Sequence, residues 1–116
     1  MKNYKKLVVW NDAIDLVQEI YSWSKELPAD ERYGLFSQIR RAAVSIPANI
    51  AEGSAATTDK ALNRYLGIAL GSAFELETHL MIVGRVYPDI GNTGKLVVNV
   101  DRLQMKVLAF MKKLNT

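Results

Sequence analysis

Apolar residues recur along this chain at alternating steps of four and three. In the first stretch the series runs Val9, Ala13, Leu16, Ile20, Trp23, Leu27. In the second it runs Leu35, Ile39, Ala42, Ile46, and the next position in the series falls on Asn49. The third runs Leu62, Leu66, Ala69, Ala73, Leu76, Leu80, Val83, and the fourth Leu96, Val100, Leu103, Val107, Phe110, Leu114. Such a 3-4 repeat keeps one stripe of each helix facing its neighbours and is the seam of left-handed helix packing. No segment sustains a period of two, so strands are not expected. The pattern predicts helices over 8–27, 32–53, 58–86 and 93–114.

The connections between these stretches are short and carry turn residues: Pro28-Ala29-Asp30, Ser54 to Thr58, and Pro88 to Gly94. Gly53 suits a helix C-terminus. Thr57 or Thr58 is placed to cap the third helix, and Asn92 or Thr93 the fourth. Short connections make successive helices antiparallel. The expected fold is therefore all-α, an antiparallel up-down-up-down four-helix bundle, in a single domain over residues 1–116. There is no internal repeat, low-complexity tract or linker.

Each seam is flanked by further apolar positions: Trp10, Ile14, Val17 and Tyr21 in the first helix, Tyr65, Ile68, Leu70, Phe74 and Met81 in the third, Val97, Leu108 and Met111 in the fourth. Stripes this wide are either buried within one bundle or covered by a neighbouring subunit, because monomers seldom expose large contiguous apolar patches. A homo-oligomer is the expectation that follows from the second reading.

Three residues stand against the helical pattern. Pro47 lies inside the second helix, where it removes a backbone donor and crowds the carbonyl of Ala43, at a cost of roughly 3 kcal/mol. Gly67 and Gly71 lie one turn apart in the third helix, each costing roughly 1 kcal/mol relative to alanine. Close approach of two backbones, with Ala42, Ala43 and Ala48 on one helix and Gly67, Ala69, Gly71 and Ala73 on the other, is the simplest account.

Composition narrows the chemistry. The chain has 116 residues, 49% hydrophobic, enough for one core without staples, and no cysteine. Disulfides and cysteine-ligated metals are excluded, and a reducing compartment is allowed. The basic start, Met1 to Lys6, is soon followed by Asp12 and does not read as a secretory signal. No apolar run reaches the roughly 18 residues a membrane span needs, so a soluble, cytoplasmic protein with no membrane partner is expected.

Catalytic signatures are missing. His79 is the single histidine, no serine stands in a nucleophile elbow, and there is no Walker or dinucleotide-binding sequence. A carboxylate-bridged di-metal site in a bundle needs two Glu-x-x-His pairs. Here His79 follows Glu75 by four residues and Glu77 by two, and no second histidine exists. The expectation is no enzyme, no metal, no cofactor and no small-molecule substrate. What remains is a polar set, Arg40, Arg41, Ser45, Asn49, Glu52 and Glu75, which reads together with Pro47 and Gly71 as a structural or interfacial network. Asn49 on a seam position suits a device that fixes register or oligomeric state, and Glu52 is placed to accept a charge-assisted bond within or between subunits.

Charge is unevenly placed. The net charge is +3, with three lysines in residues 1–10 and a net of +4 in residues 91–116, against a net of −4 between them. Positive charge gathered at both chain ends makes a patch for an anionic partner such as RNA, or simply a solvated surface. The candidate nucleic-acid contacts are Lys2, Lys5, Lys6, Arg40, Arg41, Lys112 and Lys113. No zinc-finger spacing, basic-zipper region or RNA-recognition strand accompanies them, so binding through them would be electrostatic and salt-dependent.

Leu7-Val8-Val9-Trp10 with Ala13, Glu31 to Leu35, Gln38 to Ala42, Ser45-Ile46-Pro47-Ala48-Asn49-Ile50-Ala51-Glu52-Gly53, and Ala69 to Ser72 with Glu75, Glu77 and Leu80 resemble the bacterial four-helix-bundle proteins encoded in intervening sequences of 23S ribosomal RNA genes. The segment from Ser45 to Gly53 is the most specific part, and the likeness spans nearly the whole chain. The family carries a ribosomal-protein label that reflects where the genes lie. The resemblance implies a four-helix bundle assembled into a ring, a pentamer. It also implies kinship with the accessory protein of diversity-generating retroelements, a basic pentameric bundle that binds nucleic acid and a reverse transcriptase. It implies no catalytic residue. Two functions follow as expectations: a non-enzymatic ring that binds structured RNA through a basic surface, or a protein-interaction scaffold with no nucleic-acid role.

Overall fold

A computed structural model describes residues 2–116 as four helices: α1 Val8–Ser24, α2 Leu35–Ser54, α3 Asp59–Val86 and α4 Thr93–Leu114. Single 3-10 turns at Tyr4–Lys6 and Ala29–Glu31 precede α1 and α2. Among the described residues there is no strand. Each helix packs on two neighbours in the cyclic order α1, α2, α3, α4, and the diagonal pairs do not meet. Contact is most extensive between α2 and α3 and thinnest between α4 and α1.

Cross-helix pairs fix the directions. Between α1 and α4, Asp12 pairs with Lys106, Glu19 accepts from Asn99, and Trp23 donates to Thr93. Between α3 and α4, Asn63 donates to Asn115, and Gln104 donates to the Ala73 carbonyl. Between α2 and α3, Ser45 meets Ser72, and Gly53 lies against Tyr65. In every pair one number rises as the other falls, so successive helices are antiparallel. The four helices form an up-down-up-down bundle measuring 44 × 22 × 19 Å.

Most seam positions form the core, while Leu27, Leu35, Phe110 and Leu114, at the ends of their series, are only partly buried against it. All seven seam residues of α3, from Leu62 to Val83, are buried, as are Val9, Ala13, Leu16, Ile20 and Trp23 in α1 and Leu96, Val100, Leu103 and Val107 in α4. Fully burying an isoleucine, leucine or valine contributes roughly 1.5–3 kcal/mol, so this single cluster dominates stability. In α2 the buried stripe steps from Ile46 to Ile50 and Gly53. Asn49 therefore leaves the seam and sits half-buried beside it.

Two helix ends differ from the sequence expectation by three residues, and the end of α2 and the start of α3 by one each. α1 stops at Ser24, not 27, ahead of Pro28, which has no amide hydrogen to continue the helix and disfavours helical geometry in the residue before it. The last amides, Lys25, Glu26 and Leu27, then bond three residues back, to Ser22, Trp23 and Ser24. α2 begins at Leu35, not 32. Gly34, at ψ −110°, interrupts the helical path. Ahead of it, Tyr87 donates to Glu31 at 2.6 Å and ties the Ala29–Glu31 turn to the end of α3. Of the proposed caps, Thr58 accepts from the Ala61 amide at the start of α3. Asn92 occupies the position before α4 but its side chain makes no cap bond; its backbone is in the left-handed region, φ 69°, which asparagine tolerates.

The close approach lies elsewhere than at Gly67 and Gly71. A Cβ at Gly71 would meet nothing within 4 Å, and one at Gly67 would touch only the tip of Met111 at 3.8 Å. At Gly53 a Cβ would stand 2.5 Å from the Tyr65 Cβ. Gly53 is thus the glycine that lets α2 and α3 meet, inside the last turn of α2 rather than as a left-handed cap. Pro47 is buried in the same helix, which runs through it from Leu35 to Ser54. Ala43, whose carbonyl loses its donor, is fully buried too. Packing against α1 and α3 offsets the proline's local cost.

The core helix α3 also passes a length-and-composition test for a membrane span, as buried helices of bundles do. It contains an 18-residue window of mean hydropathy 1.3, and 39% of that window is buried inside the bundle.

Candidate functional site

The antiparallel register gathers basic residues at one end of the molecule. α1 and α3 begin there, and α2 and α4 end there. The Lys2 amide donates to the Ser54 carbonyl, holding the first residues against the end of α2. Leu7 and Val8 share a groove with Lys113, and Asn63 bonds Asn115. Lys2, Lys5, Lys6, Lys112 and Lys113 are all exposed at this end. Lys60 and Arg64 of α3 join them, two residues that the charge pattern along the chain did not single out. Seven cations thus stand with Glu52 and Asp59, a net of +5. At the opposite end Lys25, Arg32, Arg85 and Lys95 are balanced by Glu26, Asp30, Glu31 and Asp89.

Helix electrostatics account for part of this placement. Lys112 and Lys113 in the last turn of α4 complement its negative end. Lys60 does the reverse: it lies in the first turn of α3, where a cation opposes the dipole by a few tenths of a kcal/mol to about 1 kcal/mol. Its position is not explained by helix stability. Asp59 beside it supplies the favourable charge.

Arg40 and Arg41 are not part of this end. They lie on α2 about 20 Å from Ser54 by helical rise. Arg40 is half-buried, with its guanidinium carbon 4.0 Å from the Phe36 ring centroid and 5.6 Å from that of Tyr21. Its Nε is buried without a hydrogen-bond partner among the described residues. Stacking on two aromatic faces makes Arg40 a packing element between α1 and α2. Arg41 is exposed. Both line an open groove of about 730 Å³ with Tyr21, Ser45 and Glu75.

The polar set of α2 resolves into a smaller network. Asn49 donates to the Ser45 carbonyl at 2.8 Å and to Ser45 Oγ at 3.0 Å. Ser45 Oγ shares a 2.9 Å hydrogen bond with Ser72 Oγ on α3. Ser72 completes the link between helices, and nothing in its local sequence marks it except its place among small residues. Glu52 is exposed and outside this network. Glu75 is exposed as well, its carboxylate 3.8 Å from His79 Nε2, and both ring nitrogens of His79 are buried without a hydrogen-bond partner among the described residues. Gly71 is exposed and Pro47 buried, so neither joins the network. Among the described residues no group of three or more His, Asp or Glu is placed to hold a metal ion.

Exposed apolar residues concentrate on α3 and α4. Phe74, Met81, Val98, Met105 and Leu108 are each 45–63% exposed. Ile68, Ile82 and Val86 of α3, with Val44 of α2, are exposed on the other side of α3. The total accessible surface is 7028 Å², against about 6,350 Å² expected for a compact monomer of this mass.

The model of the 23S rRNA-intervening sequence protein family matches residues 5–87. Among solved structures, the chain is similar to a protein of unknown function from the S23 ribosomal protein family of Bacteroides thetaiotaomicron VPI-5482. The likeness has a TM-score of 0.80 at 24% identity, covering 90% of this chain and 99% of that one. At that identity it establishes the fold. No functionally curated protein matches the chain.

Proposed function

Starting from the premise that the chain belongs to the 23S rRNA-intervening sequence protein family, we propose that it is a non-enzymatic, self-assembling bundle that binds structured RNA through its basic end. The observation that carries this reading is the net +5 at one end of the molecule against a balanced opposite end. A cation cluster of this kind attracts phosphates with little dependence on sequence, releasing counterions as it binds. Lys60, placed against its own helix dipole, belongs to the same surface. Assembly into a ring would repeat the basic end around an axis, and several weak sites engaged on one RNA would gain affinity through effective concentration.

Self-assembly rests on the apolar residues of α3 and α4. A pentamer is the state that the family resemblance implies. Light scattering tests it: a species near 13.0 kDa at micromolar concentration would refute self-assembly.

RNA binding is tested by fluorescence anisotropy with a structured RNA across a salt series. The expected result is an affinity that falls linearly in log–log coordinates, with a slope of about 0.7–0.9 per phosphate neutralised. Undetectable binding at low salt would sink the reading. In that case the exposed strip of Phe74, Met81, Met105 and Leu108 favours the second reading, a protein-interaction scaffold. Co-purification with a single protein partner, and no nucleic acid, would support it.

A further inference from the structure

Within the basic end lies a cleft of opposite character. Leu7, Val8 and Val9 from the start of α1 and Ala109 and Phe110 from α4 form its floor and walls, enclosing about 420 Å³. Val8 is 65% exposed and Ala109 is exposed. Lys106 and Lys113 stand at its edges. The Lys106 ammonium is held by Asp12, which fixes that edge, while Lys113 is exposed. The chain on either side continues directly into Lys5-Lys6 and Lys112.

An apolar cleft left open to water among lysines fits a ligand with a flat apolar body and anionic flanks. A duplex presents only phosphates and shallow groove edges to such a surface, because its bases are stacked inside. An unpaired nucleotide presents both parts: a base with a π face and a phosphate on either side. We propose that this cleft receives an unpaired base of RNA, with the neighbouring phosphates held by Lys113 and the Lys5-Lys6 turn. This deepens the RNA-binding reading above and rests on it; it assigns the preference to loops, bulges and single strands.

The test compares three oligonucleotides of equal length and charge per strand: a single-stranded RNA, its abasic counterpart, and the RNA duplex. Binding of each is measured to the full chain and to Ala109→Leu, which adds volume to the cleft without changing charge. Ala109 is exposed and lines the cleft, so the added atoms lie at the cleft rather than in the core. The expected result is at least about fivefold tighter binding of the single strand than of the abasic strand, the effect of one stacked base. Ala109→Leu should bring the single strand to the abasic level while leaving abasic binding unchanged. Val8→Ser, which removes exposed apolar wall, should act in the same direction. Equal affinities for single and abasic strands would overturn the base-binding inference and leave the electrostatic reading standing. No binding of any of the three at low salt would overturn both. If Ala109→Leu changes the assembly size in light scattering and leaves RNA affinity untouched, the cleft is a contact between copies and the inference fails.

Discussion

The same substitution, glycine to alanine, should have opposite effects at two positions one helix apart. At Gly71 a Cβ would meet nothing within 4 Å. The residue is exposed in the interior of α3, so Gly71→Ala recovers the helix propensity that glycine forfeits, about 1 kcal/mol. With an unfolding entropy of about 2.1 cal/mol/K per residue, a chain of this length gains about 4 °C in Tm. At Gly53 the new Cβ would stand 2.5 Å from the Tyr65 Cβ and 3.2 Å from Leu62 Cδ1. Both Cβ atoms are fixed to their backbones, so no rotamer change relieves the overlap. α2 and α3 must separate by about 1 Å to restore ordinary carbon contact. Overpacking of this kind costs about 2–3 kcal/mol, offset by about 1 kcal/mol of propensity. The net loss is about 1–2 kcal/mol, or about 4–8 °C. Thermal melts followed by circular dichroism at one fixed protein concentration measure both. A Gly53→Ala protein that melts at or above the wild type would refute the contact between α2 and α3 as described.

Three further outcomes follow from the contacts. Hydrogen bonding to Glu31, then burial and the negative charges of Glu31 and Asp30, holds the Tyr87 hydroxyl above its ordinary pKa of 10.0. A raised folded-state pKa gives stability that is complete below the unfolded value and lost as pH rises through the folded one. Tyr87→Phe should therefore be less stable at neutral pH and lose less stability above about pH 10; identical alkaline slopes in urea-melt stability would rule the contribution out. Asn49→Leu removes two donated bonds to Ser45 and leaves Ser45–Ser72 in place. Its stability should fall by about 1 kcal/mol with helical content unchanged, and a melt that does not move would show that the bonds contribute nothing. Phe74→Lys with Met105→Lys places two charges on the exposed strip of α3 and α4; smaller assemblies in light scattering are expected, and an unchanged size would exclude that strip as the interface.

The seam was readable because burial in a bundle depends on local spacing alone. Every α3 position from Leu62 to Val83 in the 4-3 series is buried. The helix ends were less so: Gly34 and Pro28 decide them through backbone geometry, and the Tyr87–Glu31 bond joins residues 56 positions apart. Gly67 and Gly71 draw the expectation of close approach because their mid-helix cost is visible in sequence. Gly53, read as a helix end, is the one whose missing side chain matters. The terminal lysines could be grouped from the topology, since alternating directions bring the chain ends together. Lys60 and Arg64 are distant in sequence from both termini and join that end only through the register of α3 on α4. The separation of Arg40 and Arg41 from the lysines follows from their place midway along α2. The Asn49–Ser45–Ser72 link depends on the rotation of α2 against α3, which periodicity leaves undetermined to within about one residue.

The most direct test of the basic end is a pair of charge reversals of equal size at opposite ends. Lys112→Glu with Lys113→Glu alters the cationic end, and Arg85→Glu with Lys95→Glu alters the balanced one. Affinity for one structured RNA is measured for both at the same ionic strength. The account predicts that the first pair weakens binding at least about tenfold and flattens the salt dependence by the two lost contacts, while the second pair changes affinity by less than about threefold. Equal losses from both pairs would show that only net charge matters, and would contradict the assignment of RNA binding to this end.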